Sequence, residues 1–171
     1  METVGELRKD YILDRWVIFS TGRGKRPRQF AEEPVQKESG TCFFCPGNES
    51  LTPPEIGRIE KKGKWAMRWF DNKFTALESG CITQTRTDNK FYTFGSNCGF
   101  HLVVVETPEH KTQLVDLSVG DISVLFGIFK TLVANFEKQN VVKYFNGFKN
   151  HCAYEGTSLL HSHWQVMATS F

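Results

Sequence analysis

The stretch Leu160-His-Ser-His-Trp-Gln-Val-Met-Ala168 decides how this chain is read. Its aromatic and apolar residues predict an extended strand, in which side chains alternate between the two faces. His161, His163, Gln165 and Met167 would then point one way, and Ser162, Trp164 and Val166 the other. Two imidazoles and a carboxamide make a poor core surface, because each polar group needs a partner once buried. A conflict of this kind between packing and polarity is expected at a functional site. A neutral imidazole is a good nucleophile near neutral pH and a tolerable leaving group, so His163 can carry a transferred group for a time. Gln165 can donate its amide N–H to an oxygen on which negative charge builds.

Working outward, Val141 to Phe145, Leu102 to Glu106, Trp65 to Phe70 and Trp16 to Ser20 also read as strands, from their β-branched and aromatic content. Between them lies one convincing helix, over about 118–138. Ile122, Leu125, Phe126, Phe129, Leu132, Val133 and Phe136 recur there at spacings of three and four, the mark of a buried stripe. Either Ser118 or Asp121 can cap its first turn. Asp88 to Gly99 reads as a turn-rich connection, Gly22 to Arg28 as a basic loop, and Cys45-Pro46-Gly47 as a turn. The expected class is α+β, an antiparallel sheet with one main amphipathic helix and a loop region towards the N-terminus.

The chain has 171 residues, 40% of them hydrophobic and 23% charged, which suits a folded domain rather than disorder. A formal net charge of +2 is too small to make nucleic acid the expected partner. No run of about 18 uninterrupted apolar residues suggests a membrane span, and the first residues lack the pattern of a secretory signal. The expected location is the cytoplasm.

Five cysteines are present, and two form Cys42-Phe-Phe-Cys45. A two-residue gap lets both thiolates reach one ion, although a redox pair has the same spacing. Closing a tetrahedral site takes two further ligands. His110, beyond the turn Thr107-Pro108, is one candidate, and His161 is the other. A Cys-Cys-His-His set suits zinc better than magnesium or calcium. Cys81, Cys98 and Cys152 have no such spacing and read as ordinary thiols.

These segments together resemble the N-terminal half of the galactose-1-phosphate uridylyltransferase family, within the histidine-triad superfamily. The resemblance is carried by Glu6 to Asp10, Arg15 to Ser20, Arg23 to Pro27, Cys42 to Cys45, Asn72 to Leu77, Gly99 to His110 and Gly156 to Gln165. It implies a histidine-triad-like domain over 1–171, without the second repeat, and a homodimer across which the active site is completed. It implies a ping-pong exchange of UMP between a UDP-hexose and a hexose 1-phosphate, with His163 as nucleophile and Gln165 assisting. Arg23, Arg26, Asn150 and Ser158 would meet the phosphates of a nucleoside diphosphate sugar, and Asn72 and Phe74 its nucleoside. Zn2+ would be structural, held by Cys42, Cys45, His110 and His161. Ser162 and Trp164 stand where the uridylyltransferases usually carry proline and glycine, and Cys152 replaces a glycine. His-Ser-His-x-Gln is closer to the ADP-glucose phosphorylase branch, which moves an adenylyl group onto phosphate. A non-catalytic nucleotide-binding zinc domain is the remaining expectation for so short a chain.

Overall fold

A computed structural model describes residues 5–20, 41–139, 142–151, 157 and 159–171. Arg23, Arg26, Cys152 and Ser158 lie outside them, as does the basic loop.

Among the described residues, two antiparallel sheets and one long helix make up the α+β fold. The larger sheet has five strands in the order β3-β4-β7-β9-β8, formed by Glu55–Lys61, Lys64–Asp71, Gly99–Val105, Trp164–Thr169 and Tyr144–Phe148. The smaller has the order β2-β1-β6-β5, from Trp16–Phe19, Glu6–Lys9, Thr93–Gly95 and Thr85–Thr87. The strand expected over Val141 to Phe145 therefore lies further along, at β8. The expected Asp88 to Gly99 connection contains β6 and ends at the start of β7.

β7 lies centrally and is buried on both faces, which explains its nearly continuous apolar sequence. Leu102 and Val104 face helix α1 (Val119–Glu137), together with Met67, Val166 and Ala168. Val103 and Val105 face the opposite side, with Cys42, Phe44, Trp65 and Phe70. In β4 the register against β3 passes from Met67 to Trp65 and skips Ala66. That bulge reverses the alternation, so Trp65 joins Phe70 on the face away from the helix. Gly99 opens β7 at φ 153°, and a Cβ there would sit 2.1 Å from the Ala168 oxygen. Glycine thus permits the close pairing of β7 and β9.

Ser118 caps α1, its hydroxyl accepting the Asp121 N–H at 3.1 Å, and Asp121 pairs with Lys61. The buried stripe is Leu125, Ile128, Phe129, Leu132 and Phe136. Phe126, expected in that stripe, is 56% exposed. At about 100° per residue it lies roughly a quarter-turn from the stripe's centre, whereas Ile128 closes the other edge. By length and composition this helix could cross a membrane, but its apolar stripe packs on the sheet.

The strand expected over Leu160 to Ala168 begins only at Trp164, since β8 ends opposite Gln165 and β7 opposite Trp164. His161 and His163 precede the ladder and diverge. Cys81 and Cys98, expected as separate thiols, are joined by a disulfide. Sequence spacing did not reveal the pair, because the turn after Leu77 brings Glu78 beside Cys98.

Candidate active site and metal centre

Cys42 and Cys45 sit on a tight loop, whose turns are closed by Cys45 N–H to Cys42 oxygen at 3.4 Å and Asn48 N–H to Cys45 oxygen at 3.2 Å. The Asn48 side chain also donates to the Cys42 oxygen at 2.8 Å. Buried Arg68 holds the loop to the sheet, donating to the Phe43 oxygen at 3.2 Å and pairing with Glu55 at 3.3 Å. Two histidines meet the thiols of this loop. Cys42 Sγ lies 3.4 Å from His161 Nδ1, and Cys45 Sγ lies 3.3 Å from His110 Nδ1 and 3.6 Å from His161 Nδ1. All four donor atoms fall within 4.8 Å of one another, a cluster that could hold a metal ion. His161 Nε2 donates to the Thr107 oxygen at 2.8 Å, which leaves the Nδ1 lone pair directed at the thiols. A carbonyl partner of this kind commonly orients a metal-bound histidine. Burial pushes the Cys45 thiol up to about 11, with neighbouring Cys42 acting in the same direction.

His163 stands beside this cluster, two residues from His161. Its Nδ1 lies 2.9 Å from the His161 oxygen. A carbonyl only accepts, so Nδ1 carries the proton and Nε2 carries the lone pair. The ring borders two cavities. Phe43, Phe44, Phe70, Phe74, Asn72 and Gln165 are among the residues lining the first. Lys149, Asn150, His151 and Thr157 are among those lining the second. Phe44 meets the His163 ring edge-on, with centroids 5.2 Å apart. Burial lowers the His163 pKa below the ordinary imidazole range, and the Lys149 charge adds to the effect. The neutral form is favoured.

The sequence-predicted residues thus divide into three groups. Cys42, Cys45, His110 and His161 come together as one cluster. His163, Gln165, Asn72 and Phe74 share the apolar cavity, and Asn150 joins His163 at the second. Arg23, Arg26 and Ser158 fall outside the described residues.

Sequence reasoning missed three polar groups around His163. Glu106, buried at the end of β7, accepts from Ser162 Oγ at 2.6 Å and from Lys149 Nζ at 2.7 Å. Lys149 also donates to the His163 oxygen at 3.3 Å. His101, 3% exposed, reaches Gln165 Oε1 at 3.0 Å through Nε2. A histidine inside the apolar run Gly99 to Val105 was the available signal.

Antiparallel sheets and one main helix, with a Cys-Cys-His-His cluster beside a partly buried, neutral histidine, define an α+β protein with a metal-capable loop. The match to the family described as galactose-1-phosphate uridyl transferase, N-terminal domain, runs over residues 2–171. The chain belongs to that family. It is 36% identical to an ADP-glucose phosphorylase of Arabidopsis thaliana, over 95% of this chain and 48% of that protein. It is 26% identical to a galactose-1-phosphate uridylyltransferase of Haemophilus influenzae, over 96% of this chain and 46% of that one. Among solved structures, an Arabidopsis thaliana ADP-glucose phosphorylase with bound ADP-glucose aligns with TM-score 0.63 and 32% identity, covering 97% of this chain and 49% of that one. A uridylyltransferase aligns with TM-score 0.69 and 26% identity, covering 97% and 46%. The chain spans about half the length of the curated relatives it matches.

Proposed function

We propose that this chain forms the N-terminal, histidine-triad-like half of a cytoplasmic nucleotidyltransferase that acts on nucleoside diphosphate sugars. The observation that carries the reading is the His163 ring, which borders a cavity and whose Nδ1–H is held by the His161 carbonyl, leaving the lone pair on Nε2. The Nε2 lone pair attacks the phosphorus next to the nucleoside. The bond from that phosphorus to the bridging oxygen breaks, and its electrons leave with the sugar 1-phosphate. The nucleotidyl-imidazolium keeps its Nδ1 proton on the His161 carbonyl, which spreads the positive charge. An acceptor phosphate then attacks the same phosphorus and returns the electron pair to Nε2.

Gln165 donates to a phosphoryl oxygen as charge builds there. Asn72 and Phe74 line the nucleoside side. Asn150 and Ser158, with Arg23 and Arg26, serve the phosphates, as forked guanidinium donors suit a diphosphate. A homodimer brings further site residues together.

Cys42, Cys45, His110 and His161 hold Zn2+ in this reading. Bond lengths of about 2.3 Å to sulfur and 2.05 Å to nitrogen place tetrahedral S···N edges near 3.6 Å. The observed 3.3, 3.4 and 3.6 Å lie close to that spacing. The ion would pin the Cys42–Cys45 loop to the segment that leads into His163.

Two donors compete. UMP exchange between a UDP-hexose and a hexose 1-phosphate is the activity named for the wider family. Adenylyl transfer from ADP-glucose to phosphate is favoured by Ser162 and by the higher identity to the phosphorylase. Incubation with UDP-glucose and ADP-glucose, each labelled on the phosphorus next to the nucleoside, tests both. An acid-labile, base-stable adduct is expected, and His163→Ala should abolish it. Label retained by that variant would sink the assignment. Nucleotide binding without any adduct would favour a non-catalytic domain.

A further inference from the structure

We infer that His101 is a positioning residue that decides which end of the Gln165 carboxamide faces the cavity. The inference rests on the reading of Gln165 as a donor to phosphate oxygen. Its starting point is a backbone group. The Ala76 N–H points at His101 Nδ1 from 3.0 Å. A peptide N–H can only donate, so Nδ1 must present a lone pair and cannot hold a proton. The imidazole proton is therefore on Nε2.

Among the described residues, two amide groups lie within reach of that proton: Gln165 Oε1 at 3.0 Å and Asn72 Nδ2 at 3.1 Å. Asn72 is already fixed, because its Oδ1 accepts the Phe74 N–H at 2.9 Å. Its other end is an NH2 group, and two donors facing each other make no hydrogen bond. The His101 proton therefore goes to Gln165 Oε1. Were the Gln165 amide reversed, three donors would converge with no acceptor among them. The carboxamide is thus held with its oxygen on His101, so the NH2 end is the one offered to a ligand.

That choice sets the sign of the site. Gln165 and His163 line the same cavity, and an NH2 group there attracts an anionic oxygen, whereas a carbonyl oxygen would repel it. The register explains how His101 reaches its target. Val103 pairs with Gln165 across β7 and β9, so His101, two residues earlier on the same face, is the diagonal neighbour of Gln165. His101 also accepts the Asn72 N–H on its own main-chain oxygen at 2.8 Å. The segment after β4 therefore orients a side chain two strands away.

Two measurements on the whole chain test this. Histidine 15N shifts should show a pyridine-type Nδ1 and a pyrrole-type Nε2 at His101, and the opposite pattern overturns the inference. The second measurement is the preference for AMP over adenosine, and for UMP over uridine, by calorimetry. His101→Gln keeps an N–H near the Nε2 position, while His101→Asn keeps only an atom near Nδ1. The glutamine variant should retain the preference, and the asparagine variant should lose about tenfold of it, as for one misdirected donor. In a Gln165→Ala background His101→Asn should have no further effect on the preference. Equal losses in both single variants, no loss in either, or an additive loss in the Gln165→Ala background each overturn the inference. Unchanged adenosine and uridine affinities report that the variants are folded. If the wild-type chain bound neither nucleotide, the phosphate reading of Gln165 would fall, and the 15N shifts would still decide the proton's position.

Discussion

His163 Nδ1 donates to the main-chain oxygen of His161 across 2.9 Å, so the residue whose side chain joins the thiol cluster also holds the neighbouring ring through its backbone. Any ion bound by His161 would then stiffen the acceptor that fixes the His163 tautomer. The His163 ring and the cluster are coupled through one peptide.

The first prediction concerns pH. Protonation of Nε2 removes the lone pair, so adduct formation is lost as pH falls through the folded pKa of His163. Burial places that pKa below the ordinary imidazole value, about 6.5. The rate should therefore hold on the acid side of that value before it declines. Single-turnover labelling across pH measures the limb, and a midpoint at or above the ordinary value would contradict a buried nucleophile.

Metal loading should be pH-dependent in the opposite sense to proton loading. A proton must leave Cys45, whose thiol burial holds at about 11, before the sulfur can bind an ion. Affinity for zinc should fall about tenfold for each unit by which pH drops, on account of that proton alone. At free zinc about a thousandfold above Kd, the folded state gains about 4 kcal/mol. Calorimetry in buffers of different ionisation enthalpy counts the protons released, and melting with and without chelator reads the stability. An unchanged melting temperature after chelation would remove the structural role of the cluster.

The Cys81–Cys98 bridge closes a loop with a sequence separation of 17. A loop of that length is worth about 3 kcal/mol in the chain-entropy account. Cys98 lies next to Gly99, which pairs with Thr169 at the far end of β9 from Trp164. Reduction should therefore lower stability while leaving adduct formation at His163 unchanged. Thiol titration beside thermal melting, each with and without reductant, decides it.

Much of this was legible because some residues obey a single rule. Leu102 to Glu106 reads as a strand from its apolar run, and Cys42-Phe-Phe-Cys45 has the spacing of a ligand pair, which a redox pair shares. Leu125, Phe129, Leu132 and Phe136 mark the helix stripe, but Phe126 lies at its edge, where helical spacing cannot separate it from Ile128. The small sheet was hidden apart from β2. Glu6–Lys9 and Thr85–Thr87 are short, polar strands, set by their partners rather than by an apolar pattern. His161 and His163 were placed on one strand face, because sequence alternation does not reveal where a ladder stops. The pairings of His101 and Glu106 are tertiary, and they join residues 64 and 56 positions apart.

The last prediction separates stability from chemistry at Lys149. Its side chain is 11% exposed against a fully buried Glu106 side chain, and its ammonium also reaches Ser162 Oγ and the His163 oxygen. Lys149→Met leaves the Glu106 charge uncompensated and should cost about 3–5 kcal/mol. Ser162→Ala removes a hydroxyl but leaves the ion pair in place, and should cost about 1 kcal/mol. Replacing both charges, by Lys149→Met with Glu106→Leu, removes the desolvation burden and should recover most of the stability, as apolar substitutes for buried pairs often do. It cannot restore the donor that Lys149 extends to the His163 carbonyl. The double variant should therefore melt close to the wild type and still form adduct more slowly. Chemical denaturation and single-turnover labelling on the same samples check the two halves. Recovery of both would make Lys149 a packing residue with no part in holding His163.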